Sequence, residues 1–151
     1  MYNKTWRATG VALILSASMA FCLSAADGEK SLYQRLGGEP AVRAVAGGLV
    51  DAILADNRVN RWFAHAASSA ANTAAYKAKL ADFICQNTGG PCKYKGSDMV
   101  SAHTGRAVTG EAFDAVVEDL IGVLNHHKVP AKEKAELLGI LGPLKSSIVQ
   151  K

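Results

Sequence analysis

His103 stands in the stretch DMVSAHTGRAV, with Met99 four residues before it and Ala107 four residues after. In a helix written over residues 98–107 that spacing puts all three on one face, with Ala102 and Arg106 beside them. An imidazole on such an apolar face needs its ring nitrogens satisfied, because an unpaired polar group is costly to bury. Spacing alone leaves two readings open: a core histidine bonded to a backbone carbonyl, or a metal ligand. The other histidines offer less. His126 and His127 are adjacent near a helix end, so they diverge and are expected to meet terminal carbonyls or solvent. His65 lies in a short alanine-rich connection and reads as solvent-facing or as a cap. A zinc site wants three or four N, S or O ligands, and no second histidine is paired with His103 at metal spacing.

The cysteines carry a different chemistry. Three are present, and one of them, Cys22, falls in a segment that reads as temporary. MYNKTWR carries Lys4 and Arg7 without an acid, GVALILSASMAFCLSA is an apolar run, and Ser24, Ala25 and Ala26 precede the polar DGEK. A basic start, an apolar middle and a small-residue end describe a secretory signal, with cleavage expected after Ala26. The run is short for a retained span, which needs roughly 20 apolar residues. Phe21 before Cys22 is bulky where a lipoprotein signal needs a small residue. Residues 27–151 then form the mature domain. Its exported setting favours a disulfide between Cys85 and Cys92, separated by QNTGGP. Closing so small a loop stabilises by about 2–3 kcal/mol on the loop-entropy account. With Lys4 and Arg7 gone, the 17 basic residues fall to 15 against 13 acids, a net charge of +2. Basic and acidic residues alternate, which excludes a nucleic-acid footprint. With the signal removed, no stable membrane association is expected.

The elements that must position these residues all read as helices, and no stretch alternates as a strand does. Ser31 caps a short helix in SLYQRLGG that Gly37 and Gly38 stop. Pro40 stands in the first turn of the next helix, along which Val42, Val45, Leu49, Ile53 and Leu54 keep a 3.6-residue spacing. Gly47 and Gly48 in its middle imply close approach of another helix. NRWFAHA is a tight connection, followed by a long helix with Tyr76, Leu80, Phe83 and Ile84 on one side. TGGPCKYKGS breaks the chain before the His103 helix. Thr109 then caps a helix with Phe113, Val116, Val117, Leu120, Val123 and Leu124 on one face. The last helix follows Pro130 and is interrupted near Gly142 and Pro143. The fold class is all-α.

Apolar residues from several of these segments, with one histidine among them, suit a macrocycle that supplies a metal's other ligands, as haem does. The mature chain resembles a truncated haemoglobin of group I (N-type) over roughly residues 31–149. LYQRLGG, NRWF, GGPCKYKGSDMVSAHTGRAVTGEAF and VEDLIGVL carry the resemblance. It implies a two-over-two helical sandwich with His103 as the iron's proximal ligand. Phe63 matches the phenylalanine that stacks on haem, and Val108, Phe113 and Val117 match residues packed on the ring after the ligand. Met99 belongs to the motif that leads to the histidine. Tyr76, Lys79, Leu80 and Phe83 stand on the distal helix, with Lys79 expected to reach a propionate. Gly37–Gly38 and Gly89–Gly90 match the family's paired glycines. Absence of a C-x-x-C-H motif implies haem b held without covalent links.

The chain departs from the group where its second helix usually carries a distal tyrosine, for Val50 stands there. Tyr76 is the candidate replacement, and Gln86 lies too far along its helix. The reading that follows is a haem globin that reversibly binds a diatomic ligand, oxygen first, and more an oxygen-binding protein than an enzyme. Nitric oxide dioxygenation with an external reductase is the alternative, since no flavin or nicotinamide motif is present. A cofactor-free exported helical binding module is a further alternative. The expected setting is the periplasm, and the expected state is a monomer or weak dimer.

Overall fold

The computed structural model describes residues 29–149, and the signal expected over residues 1–26 lies outside them. Ser31 opens the first helix, α1 (Leu32–Leu36), with a reciprocal cap: its hydroxyl accepts from the Gln34 N–H and its own N–H donates to Gln34 Oε1. Gly37, at φ 108°, stops α1 in the left-handed region that a side chain disfavours. The chain restarts at once as α2 (Gly38–Ala55). A 3-10 turn at Asn60–Phe63 and the short α3 (Ala64–Ala67) lead to α4 (Ala70–Asn87), capped by Ser69. After an extended connection come α5 (Met99–His103) and α6 (Gly110–His126), capped by Asp98 and Thr109. α7 (Ala131–Leu141), a 3-10 turn at Gly142–Leu144 and α8 (Lys145–Ile148) complete the described chain. The interruption expected at Gly142 and Pro143 is that turn.

α2 packs along α4 and crosses to α6, α6 meets α8 and α7 meets α1, in the two-over-two arrangement expected. Its centre is the buried stripe of α2, where Val42, Val45, Ala46, Leu49 and Ile53 meet Ala81 and Ile84 of α4 and Leu120 and Leu124 of α6. Gly48 explains how α2 and α6 come so close. A Cβ there would sit 3.0 Å from Val123 Cγ1, tighter than most real contacts. Gly47 instead faces Lys77 of α4 at an ordinary 3.9 Å, so close approach accounts for one glycine of the pair.

At the far end of α4, the Tyr33 N–H donates to the Thr88 carbonyl at 2.8 Å, tying α1 to α4. Cys85 and Cys92 are joined there, with their Cα atoms 5.8 Å apart. Gly90 passes through the loop they close, and a Cβ on it would lie 2.5 Å from Cys85 Sγ and 2.7 Å from Tyr33 Cδ2.

One expected element is shorter than the spacing implied. The helix around His103 ends at His103 itself rather than at 107. The Thr104 hydroxyl donates to the Val100 carbonyl, and Gly105 then turns left-handed at φ 75°. Ala107, at φ 51°, follows in the same region and so does not share a helical face with Met99 and His103.

Candidate functional site

Two walls that hardly touch each other enclose the site. α4 packs along α2, while α5 docks on α8, and almost no contact joins α4 to α5. Between them lies a cavity of about 520 Å³, within the size range of cofactor sites. All ten residues singled out from the sequence line it: Phe63 from the 3-10 turn; Tyr76, Lys79, Leu80 and Phe83 from α4; Met99 and His103 from α5; Val108, Phe113 and Val117 from the segment beyond.

On the α5 wall, His103 Nδ1 is 2.7 Å from the Met99 carbonyl oxygen. A carbonyl only accepts, so Nδ1 carries the proton and the neutral ring keeps its lone pair on Nε2. Nε2 has no hydrogen-bond partner among the described residues and is the nitrogen available to the cavity. No group of three or more His, Cys, Asp or Glu able to hold a metal ion occurs among them either. A lone imidazole with a fixed tautomer and an open Nε2 suits an iron whose remaining ligands arrive with a macrocycle.

On the α4 wall, Tyr76 lies edge-on to Phe63, ring centroids 5.7 Å apart. Burial, and after it the neighbouring Tyr94, push the Tyr76 phenol up to about 12, with Arg106 pulling the other way. It stays a neutral O–H donor throughout the physiological range. Phe83 lies edge-on to Tyr94 at 5.1 Å, and the Gln86 side chain accepts from the Tyr94 N–H at 2.9 Å. Gln86 therefore anchors the loop after α4 and takes no place in the cavity wall. Lys79 is exposed at the cavity edge and forms no ion pair among the described residues, free to meet an acid group at the rim.

Other placements complete or amend the expectations. His65 is exposed, as expected, yet it borders the cavity. His126 and His127 are exposed and edge-on to each other, far from any ligand set. Val50 is wholly buried, but the α2 residues that line the cavity are Leu49 and Ile53, one turn apart on the neighbouring face. Sequence reasoning missed these two, and it missed Trp62, Tyr94 and Arg106, which also line the cavity. Trp62, Tyr94 and Arg106 all stand inside the quoted motifs, but nothing there marked them as cavity residues.

A family profile described as a bacterial-like globin matches residues 31–150. A group 1 truncated haemoglobin of Mycolicibacterium paratuberculosis is 31% identical over 118 residues, covering 78% of this chain and 83% of its own. The chain belongs to the truncated haemoglobins. Among solved members, that of Tetrahymena pyriformis in its Fe(III) form superposes with a TM-score of 0.71 at 29% identity, covering 81% of this chain and 100% of the other. A Synechococcus 2/2 haemoglobin, determined in the cyanomet state with covalently attached haem, gives the same score, identity and coverage. The truncated-haemoglobin fold with a cavity of this build makes the chain a haem-binding globin, and the cofactor-free alternative is set aside.

Proposed function

We propose that the protein is an exported oxygen-binding globin in which haem b, held without covalent links, occupies the cavity between α4 and α5. Haem iron, when bound, supplies the coordination position for a diatomic ligand. The observation that carries the reading is the state of His103: Nδ1 held by the Met99 carbonyl and Nε2 open, on the wall opposite Tyr76.

In this reading His103, with Nδ1 fixed on the Met99 carbonyl, would offer its Nε2 lone pair to the iron. Phe63, Leu80, Phe83, Val108, Phe113 and Val117 would supply an apolar lining that keeps water from the haem. Lys79 offers its ammonium to a propionate at the rim, where solvent spares it the cost of burial. Tyr76, on the wall across from His103, stays protonated and would offer its O–H as a hydrogen-bond donor to an oxygen molecule in the cavity. It does the work of the phenol that Val50 lacks.

The test is an absorption spectrum of the purified protein beside His103→Gly, with and without added imidazole. The expected result is an intense Soret band in the wild type, weakened in the variant and restored by imidazole. No Soret band after haem reconstitution of the wild type would refute the reading. The intact mass of the same protein, recovered from the periplasm, tests the rest of the proposal. Loss of residues 1–26 and of two hydrogens at Cys85 and Cys92 is expected, and a full-length or reduced mass would contradict export with a disulfide.

A further inference from the structure

His103 ends a helix of only five residues, too short to hold its own shape in water. Its N-terminal end is fixed by Asp98, whose carboxylate accepts from the Ser101 N–H at 2.9 Å. What fixes the other end is a path of hydrogen bonds that leaves the helix altogether. The Trp62 indole N–H donates to the Arg106 carbonyl at 2.9 Å, across 44 residues of sequence. The Arg106 N–H donates to the His103 carbonyl at 3.1 Å. His103 Nδ1–H in turn donates to the Met99 carbonyl at 2.7 Å. Two successive bonds thus run from the 3-10 turn to His103, and a third fixes its imidazole on Met99.

The loop they cross is an improbable one to leave unsupported. Gly105 and Ala107, on either side of Arg106, both have positive φ. A non-glycine residue in that region persists where its surroundings over-determine it. The donor is itself held: Trp62 packs against the core, and the Arg61 guanidinium lies 3.9 Å over its ring. Orientation of a ligating imidazole by groups behind it is a recognised control on the metal bond.

We propose that Trp62 is a positioning residue for His103, its indole N–H bracing the Arg106 loop so that Nε2 keeps one orientation toward the cavity. This rests on the haem reading above for its consequence at the iron, but not for the brace itself. Phenylalanine in the same place keeps a ring against the core and loses the donor.

The experiment compares wild type, Trp62→Phe, and protein with 3-benzothienylalanine at position 62, in which sulfur replaces the N–H with the ring shape kept. Amide hydrogen exchange on the proteins as purified should show the Arg106 amide, bonded to the His103 carbonyl within the braced loop, exchanging about tenfold faster in both variants, as expected when local opening becomes easier. The resonance Raman band of the iron–histidine bond in the haem-loaded ferrous proteins should shift and broaden in both, with thermal midpoints close to wild type in the sulfur isostere. Unchanged Arg106 exchange and an unchanged iron–histidine band in the isostere would overturn the proposal. So would effects in Trp62→Phe that vanish in the isostere, because they would assign Trp62 a packing role alone. Should the wild type take up no haem, the function reading fails, while the exchange arm still decides the brace.

Discussion

His103 has two ring nitrogens in unlike situations, one fixed on Met99 and one open to a cavity. The two readings that spacing left open, carbonyl-bonded core residue and metal ligand, each describe one of those nitrogens. Spacing alone favoured the carbonyl-bonded core residue, because a helical period says which face a side chain shares and not what lies beyond it. Tyr76 was legible in the same limited way. Its place on the distal helix follows from the pattern, but its burial and its edge-on contact with Phe63 depend on a distant segment. Replacing it with phenylalanine removes one hydrogen bond of about 1 kcal/mol. Oxygen dissociation from Tyr76→Phe should therefore be several-fold to about tenfold faster, with carbon monoxide release, a poorer acceptor's, little changed. Flash photolysis and stopped-flow measurements check both rates. Since burial holds the phenol protonated up to about 12, the wild-type oxygen dissociation rate should stay flat from neutral pH to about pH 10. A rate unaffected by the substitution would exclude Tyr76 as the donor.

At the scale of elements, the long helices and their caps were readable because apolar spacing and capping residues agree. Ser31, Thr109 and the glycines at 37–38 do what their types suggest. The end of α5 was not readable, since nothing in the composition of HTGRAV forces Ala107 to a positive φ; the break is made by the Thr104 hydroxyl's bond to the Val100 carbonyl and by the left-handed turn at Gly105. This short helix depends on Asp98. Hydrogen bonds from Ser101 hold its carboxyl below the usual range. A depressed carboxylate stabilises the fold above its ordinary pKa, and that contribution is lost as pH falls through the lowered value. Asp98→Ala should thus unfold at lower denaturant concentration than wild type at neutral pH. The gap should close as the pH falls below about 4. Urea titrations of the two haem-free proteins across that range measure it, and a gap independent of pH would show that the cap acts without its charge.

For the molecule as a whole, the cavity is assembled from segments that sequence order keeps apart. α2, the 3-10 turn, α4, α5, α6 and α8 each contribute, and only the fold decides which residue of each faces inward. The family pattern pointed to Phe63, Met99, His103, Val108, Phe113 and Val117, and the helical reading of α4 to Tyr76, Lys79, Leu80 and Phe83, whereas nothing in the sequence marked Leu49, Ile53 or Arg106 as facing the cavity. The disulfide joins the end of α4 to the start of the loop that leads to α5, outside the cavity lining. The most direct measurement is a crystal structure of the haem-loaded protein. The account predicts haem between α4 and α5, iron bonded to His103 Nε2 with Nδ1 still on the Met99 carbonyl, and the Tyr76 hydroxyl on the opposite face. Iron bonded to another side chain, or haem outside this cavity, would contradict it.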